Sequence, residues 1–151
     1  MLIRDAEEKD VEALQELYAG HLAKTPPTTN TDITLWRAFL ETVRQNENYH
    51  LLVLEVDGSV WSSVTLILIP NLTHGMKPYA LIENVVTHSD HRGRGYATAL
   101  MSHASQIAFR AGAYKIMLMT GSKKESTHGF YENCGFTAKE KTAFVKRFDE
   151  S

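Results

Sequence analysis

Two glycines, Gly93 and Gly95, stand between an apolar run and a run with helical periodicity. This junction constrains the fold more than any other segment. Residues 79–87 are apolar enough to form a central strand, and residues 95–111 repeat apolar side chains along one helix face. Glycine leaves backbone N–H groups accessible, and the first turn of a helix has unpaired N–H groups at its positive end. The junction therefore predicts a binding site for a phosphate group.

The residues around the two glycines exclude two common kinds of phosphate site. Arg92 and Arg94 add positive charge at its rim. The turn has neither the Gly-Lys-Ser/Thr ending of a P-loop nor the third glycine of a dinucleotide fingerprint. A glycine-rich turn with two solvated arginines and no ligand stays open as the alternative.

The rest of the chain alternates between β and α patterns, which predicts a mixed sheet with helices on its faces. Asp57 and Gly58 form a favourable hairpin turn, and Asp32 can cap a helix. Strands are expected at residues 2–4, 49–56, 59–69, 79–87, 115–120, 136–138 and 142–148, and helices at residues 5–23, after Asp32, at 95–111 and at 126–133. We expect a loop at residues 25–30 and a single domain over residues 1–151.

Composition excludes several classes of protein. Sixteen basic and eighteen acidic residues give a net charge of −2, without the basic surplus of a nucleic-acid-binding protein. A single cysteine, Cys134, cannot form an intramolecular disulfide and fits a reducing compartment. The most apolar run, residues 64–69, is too short to cross a bilayer, and the first residues lack a secretory signal. We expect a cytoplasmic protein without a membrane or nucleic-acid partner.

Two motifs in order carry a family resemblance. Asp90 to Gly95 resembles the Gln/Arg-x-x-Gly-x-Gly/Ala loop of the GNAT N-acetyltransferases, with Gly93 and Gly95 matching and Asp90 departing from the first position. Residues 130–136, Phe-Tyr-Glu-Asn-Cys-Gly-Phe, resemble the late Phe-Tyr-Glu-x-x-Gly-Phe block of that family. The order of elements agrees over nearly the whole chain.

The resemblance implies a GNAT-type α/β (α+β) fold. This is a mixed, mostly antiparallel sheet of six to seven strands with a splayed central pair, flanked by about four helices. It also implies that acetyl-CoA binds as cosubstrate, its pantetheine arm lying against the strand backbone and its pyrophosphate against the turn amides. The residues implied for the arm are Val85, Val86 and Thr87, and those for the pyrophosphate are Arg92, Gly93, Arg94, Gly95, Tyr96 and Ala97.

Two side chains match catalytic positions of the family. Tyr131 matches the tyrosine that donates a proton to the departing CoA thiolate, and a helix tyrosine packed at the sheet edge is the structural alternative. Glu83 is a carboxylate on an otherwise apolar strand, so it either receives the amine's proton or belongs to a structural ion pair. Asn84 either orients Glu83 or the substrate, or only pairs within the strand. Cys134 fits a small buried thiol better than a nucleophile.

The acceptor implied by the resemblance is a small primary amine. Within the family the chain is similar to the glucosamine-6-phosphate N-acetyltransferase branch, but Met119 and Thr120 stand where that branch has an acidic residue. Ser126 and Thr127 stand where it often has Asn. The candidates for the lining of the acceptor pocket are Trp36, Trp61, Tyr79 and His74.

Alternatives of other classes remain. The chain could be a CoA-binding regulatory or interaction module without turnover, or a protein N-acetyltransferase. His88, Asp90 and His91 are too few to specify a metal centre, so no metal is expected. The resemblance also implies a homodimer formed through the C-terminal strands, although edge strands could equally be closed off within one chain.

Overall fold

The computed structural model describes residues 1–22 and 32–148. The helix expected at residues 5–23 ends earlier, at Gly20, and the expected loop at 25–30 lies outside the described residues. The chain divides into two compact units, Met1–Leu118 and Met119–Ser151. The first unit contains one five-stranded sheet in the order β1-β2-β3-β4-β5. Its strands are β1 Leu2–Asp5, β2 Tyr49–Val56, β3 Ser59–Ile69, β4 Tyr79–Thr87 and β5 Ile116–Leu118.

The sheet is mixed, as predicted, but it has five strands rather than six to seven. The first four strands are antiparallel neighbours, and β5 runs parallel to β4. Asp57 and Gly58 both have positive φ, +51° and +82°, and join β2 to β3 as predicted. The missing strands are those expected at 136–138 and 142–148, where the described residues form no strand.

The described residues form five helices, one more than predicted. The additional helix is a four-residue segment between β3 and β4, where His74 and Gly75 have positive φ. Asp32 caps the second helix as predicted, accepting a hydrogen bond from the Thr34 backbone N–H at 2.9 Å. The helices are α1 Val11–Gly20, α2 Ile33–Arg44, α3 Thr73–Met76, α4 Tyr96–Arg110 and α5 Glu125–Asn133.

Helices of the first unit cover both faces of its sheet. Val53 of β2 packs in a core with α1 and α2. Its neighbours Leu52 and Leu54 are fully buried and point to the opposite face, because side chains alternate along a strand. On that face α4 buries Leu100, Met101, Ala104 and Ala108. One face of the sheet is therefore covered by α4 and the other by α1 and α2.

The first helix starts six residues later than predicted. Residues 5–10 pass from β1 through a short 3-10 turn, Glu8–Asp10, before α1 begins. Asp10 is buried and accepts hydrogen bonds from Arg4 Nη1 at 2.7 Å and from the Glu7 backbone N–H at 2.7 Å. These bonds fix a non-helical corner that the apolar spacing alone does not indicate.

The second unit contains α5 followed by an exposed segment. Every described residue from 137 to 148 is exposed, including Phe144 and Phe148. A strand is defined by its backbone partners, and in the described part of the chain these residues have no ladder partner. In neither described stretch, 1–22 or 32–148, does any helix have the length and apolarity needed to cross a membrane.

Candidate active site

Strand β4 contains a β-bulge at Asn84. The register shifts between Ser63 and Thr65 of β3, so Asn84 and Val85 of β4 face a single β3 residue. Asn84 has φ +53°, a left-handed conformation that Asn accepts more readily than most residues. Its side chain is exposed, unlike the rest of the strand. The polar pair Glu83-Asn84 marked this position in the sequence, but nothing there indicated the bulge.

Strands β4 and β5 share only three residue pairs. Residues 80–82 of β4 pair with Ile116–Leu118, and no pairing between the two strands is found beyond Ile82. Strand β4 nevertheless continues to Thr87, so Val85, Val86 and Thr87 lie in a segment without a β5 neighbour. Free backbone groups along a strand edge can bind an extended ligand as an added strand.

The glycine turn follows this open edge directly. Gly93 and Gly95 have φ of +75° and +79°, which is the left-handed region that favours glycine. A side chain built at either position would meet no atom within 4 Å, so the backbone conformation, not crowding, requires glycine. Gly95 precedes α4, whose first internal hydrogen bond joins the Ala99 N–H to the Gly95 carbonyl. The N–H groups of Tyr96 and Ala97 therefore belong to the unpaired first turn.

The two arginines of the turn have different surroundings. Arg92 bends back, donating from Nε to the Thr87 carbonyl at 3.3 Å and from Nη2 to the His21 carbonyl at 3.1 Å. Arg94 is exposed, and within the described ranges its guanidinium makes no hydrogen bond or ion pair. The positive charge predicted at the rim is thus free at Arg94, whereas Arg92 ties the turn to the end of α1.

Glu83 lies on the sheet face that α1 and α2 cover. It pairs with Thr65 of β3, which pairs in turn with Leu51 of β2, and directly paired residues share a face. Burial and the nearby charge of Glu83 raise the pKa of Tyr49, against an opposing effect of Thr65. Among residues 1–22 and 32–148, no Lys or Arg forms an ion pair with the half-buried Glu83 carboxylate.

A pocket of about 340 Å³ opens on the same face, between the sheet and the first two helices. Its polar side-chain groups are Asn84, the phenols of Tyr18 and Tyr49 and the indole N–H of Trp36, and its other described lining residues are apolar. Burial raises the pKa of Tyr18, against the opposing influence of Thr65, Asn84 and Ser63. The described lining residues are Val11, Leu14, Tyr18, Leu35, Trp36, Phe39, Leu40, Tyr49, Leu51 and Asn84.

Of the four residues predicted for the acceptor pocket, Trp36 lines this pocket. Trp61 instead stacks on His91, with ring centroids 3.8 Å apart. His74 stacks on Tyr114 at 3.8 Å, and Tyr79 also lies near that ring. Sequence reasoning missed Tyr18, Tyr49, Leu35 and Phe39 as pocket residues. The available signal was the excess of large apolar residues on α2, which exceeds what one buried helix face needs.

Histidines link the turn to α1. The rings of His21 and His88 lie 3.9 Å apart, and His88 Nε2 lies 3.5 Å from a Glu16 carboxylate oxygen. Each histidine accepts a backbone N–H at Nδ1, from Ser89 and Asp90 respectively, at 3.2 Å. A neutral ring that accepts at Nδ1 carries its proton on Nε2, where it cannot offer a lone pair to a metal. We therefore assign no metal centre to Glu16, His21 and His88, although their ligand atoms are close together.

The second unit positions Tyr131 on α5. The half-buried Tyr131 ring contacts Phe130 and Phe136, with centroids 5.1 and 6.4 Å away. The helix ends at Asn133, and the Phe136 N–H returns to the Tyr131 carbonyl at 3.1 Å. Burial raises the pKa of Cys134, so its thiol is protonated near neutral pH and is a poor nucleophile.

Known proteins agree with this architecture. Residues 11–136 match the model of the acetyltransferase (GNAT) family. The chain is 30% identical to the glucosamine 6-phosphate N-acetyltransferase of Trypanosoma brucei brucei over 141 residues, which cover 92% of this chain and 90% of that protein. The similarity to this branch expected from the motifs is thereby confirmed.

Solved structures extend the agreement to the fold. A provisionally named acetyltransferase of Agrobacterium tumefaciens str. C58 has a TM-score of 0.87 at 37% identity, covering 97% of this chain and 99% of that one. AAC(6')-Iy, solved with the bisubstrate analog CoA-S-monomethyl-acetylneamine, has a TM-score of 0.77 at 18% identity, covering 97% of both chains. The second likeness shows the fold alone. The chain therefore belongs to the GNAT family of acetyltransferases and is an acyltransferase enzyme.

Proposed function

We propose that this enzyme transfers an acetyl group from acetyl-CoA directly to the primary amine of a small molecule. One observation carries the proposal: the open edge of β4 runs straight into the glycine turn at the start of α4. An extended chain and a phosphate group can bind side by side along these residues. Acetyl-CoA joins a pantetheine arm to a pyrophosphate in that order.

Backbone groups hold the cosubstrate in this proposal. Those of Val85, Val86 and Thr87 bond the pantetheine arm as an added strand. The amides of the turn and of the first turn of α4 bind the pyrophosphate, helped by the positive end of the helix. Arg94 adds charge at the rim, and Arg92 holds the turn against Thr87 and His21. The residues proposed for the pyrophosphate are Arg92, Gly93, Arg94, Gly95, Tyr96 and Ala97.

Glu83 is the general base of the proposed reaction and Tyr131 is the general acid. An ammonium has no lone pair, so Glu83 takes a proton from it before the amine nitrogen attacks the thioester carbonyl carbon. The carbon–sulfur bond of the tetrahedral adduct then breaks, and Tyr131 donates its proton to the departing thiolate. The nitrogen gives up its second proton, which restores the Tyr131 phenol and leaves a neutral amide. The absence of an ion pair to Glu83 in the described residues supports the role of base over that of a structural partner. The products are an amide and CoA, and no metal is required.

We extend the proposal to the whole chain. Residues 1–151 act as one acyltransferase domain in the cytoplasm, without a nucleic-acid or membrane partner. The net charge of −2 disfavours a polyanionic acceptor such as tRNA. A protein amine is the remaining alternative acceptor, and the pocket volume of about 340 Å³ favours a small molecule over a protein tail.

Thermal unfolding with acetyl-CoA tests the proposal first. A ligand that binds only the native state stabilises it by RT ln(1 + [L]/Kd), about 2.7 kcal/mol at a hundredfold excess over Kd. We expect a clear rise in Tm for the wild type and little or none for Gly93→Val. Any side chain at this position strains the left-handed backbone and projects into the open space where the pyrophosphate binds.

Gly112→Val is the matched control. Gly112 also has positive φ, +80°, and also has open space around its side-chain position, but it lies past the far end of α4. Both variants should lose roughly 1–2 kcal/mol of stability from backbone strain. Only Gly93→Val should lose the response to acetyl-CoA. If the wild type does not respond at millimolar acetyl-CoA, the glycine turn is only a turn and the proposal falls.

A further inference from the structure

The pocket under α1 and α2 is lined mostly by apolar groups, which do not suit a sugar phosphate. Its polar side-chain atoms belong to four described residues, Tyr18, Trp36, Tyr49 and Asn84. The remaining described lining is hydrocarbon or aromatic ring, and it includes no Lys, Arg or His. A phosphate buried here would lose its hydration without gaining a cation from these described lining residues, which is costly. The lining instead suits a hydrocarbon body with one polar end.

The pocket mouth is apolar as well. Leu35 and Phe39 of α2 line the pocket, yet their exposed fractions are 53% and 52%. The Phe39 ring meets Tyr49 edge-on at 6.0 Å, and Trp36 meets Tyr18 in the same manner at 5.6 Å. These paired rings form walls suited to another aromatic ring, since edge-to-face contacts stabilise such groups beyond their buried area.

The polar pocket residues Tyr49 and Asn84 lie near Glu83, the proposed base. Glu83 lies close enough to Tyr49 for its charge to act on that phenol, and Asn84 is the next residue along β4. Thr65, directly opposite Glu83, is buried, and its hydroxyl acts on both phenols of the pocket, Tyr18 and Tyr49. An ammonium placed here gains a carboxylate and polar oxygens, while its body points toward Trp36 and Phe39.

We propose that the acceptor is an arylalkylamine, a primary amine on a short linker to an aromatic ring, without a phosphate. This inference rests on the proposed function and specifies its acceptor. The pocket volume of about 340 Å³ lies near the lower end of the range for small-molecule sites, so one ring with its linker fits better than a large ligand.

The test compares two amines with acetyl-CoA as donor, following release of the CoA thiol. The probes are 2-phenylethylamine and glucosamine 6-phosphate. We expect kcat/KM to be at least about tenfold higher for 2-phenylethylamine, because burying a phenyl-sized group contributes at least about 1.5 kcal/mol. An equal or higher value for glucosamine 6-phosphate overturns the inference and leaves the acetyltransferase function intact.

Phe39→Ser tests the pocket itself. The variant removes one exposed wall, so KM for 2-phenylethylamine should rise about tenfold with little change in kcat, as expected for lost uniform binding. The control is Phe109→Ser, which removes an 83% exposed ring from α4 and should change neither constant. An unchanged KM in Phe39→Ser, with acetyl-CoA still raising Tm, overturns the inference.

The two proposals fail in different ways. If acetyl-CoA raises Tm but 2-phenylethylamine releases no thiol, the assignment of the acceptor is wrong and cofactor binding stands. If acetyl-CoA has no effect on Tm and no amine reacts, both proposals fall together. The Tm readout therefore separates an error about the pocket from an error about the whole site.

Discussion

At the scale of single residues, Glu83 is where the structure adds most to the sequence. The sequence left it balanced between a base and a member of an ion pair. In the described chain it has no basic partner, and it shares a sheet face with Thr65 and Leu51 beside an open pocket. A half-buried carboxylate without a cation among the described residues is unfavourable for stability, and such groups are candidates for acid–base chemistry.

Glu83→Gln should separate the two roles. The amide cannot accept the amine's proton, so we expect kcat/KM with a reactive amine to fall roughly 10²- to 10⁴-fold near neutral pH. Higher pH supplies more neutral amine, so the deficit should shrink as the pH rises. The Tm increase with acetyl-CoA should be preserved. A variant with full activity and lowered stability would make Glu83 structural.

The features that could be predicted from the sequence are local ones. Gly93 and Gly95 stand out because their backbone conformation can be inferred from a short stretch of chain. Tyr18 and Tyr49 were not predicted as pocket residues. They are more than thirty residues apart in sequence, and only the packing of α1 against the sheet brings them together. A pocket that different elements build cannot be inferred from the periodicity of any one of them.

At the scale of elements, the start of α1 depends on one arginine. Arg4 of β1 donates to Asp10 at 2.7 and 3.0 Å and to Glu55 of β2 at 3.0 and 2.7 Å. Burial disfavours the charged form of Asp10, but the hydrogen bonds from Arg4 and the Glu7 N–H outweigh it and lower its pKa. The helix pattern began at residue 5, and this network explains why the helix itself starts at Val11.

Asp10→Ala should therefore destabilise the protein strongly. We expect a loss of about 3 kcal/mol in the free energy of unfolding by urea, at the low end for breaking a buried pair because Glu55 still compensates Arg4. Glu12→Ala, which removes an exposed partner of Arg37, should stay within about 0.5 kcal/mol. An equal effect of the two variants would contradict the network's importance.

The effect of Asp10 on stability should depend on pH in one direction. Its pKa is lower in the folded state than the ordinary value of about 3.9. The contribution is therefore fully present above that value and is lost as the pH falls through the folded pKa. The difference between wild type and Asp10→Ala should shrink on acidification, which urea titrations at several pH values would measure.

Strands were less predictable than helices, because a strand depends on a partner that its own sequence does not contain. Residues 115–120 were expected as a strand, but only Ile116–Leu118 pair with β4 before the two strands part. The amphipathic helix expected at 95–111 forms as α4, Tyr96–Arg110, because its apolar face and internal hydrogen bonds are encoded locally. The strands expected at 136–138 and 142–148 do not form, because the described residues provide no partner strand for them.

At the scale of the whole molecule, the unpaired C-terminal segment raises the question of assembly. Residues 142–148 have the β-branched and aromatic composition of a strand, yet Phe144 and Phe148 are 93% and 92% exposed. Apolar side chains on an unpaired, strand-forming segment favour pairing with another chain. The homodimer implied by the family resemblance stays a prediction, and this segment is where it would form.

Light scattering coupled to size-exclusion chromatography checks that prediction. We expect a mass near twice the 17.0 kDa of one chain, falling toward the monomer on dilution if association is weak. Phe148→Asp should shift the equilibrium toward monomer, because a charge buried in such a contact is unfavourable. Phe109→Asp, at an exposed ring on α4, should leave the mass unchanged. A wild-type monomer at every concentration would mean that the segment does not pair with a second copy, and the prediction of a homodimer would be wrong.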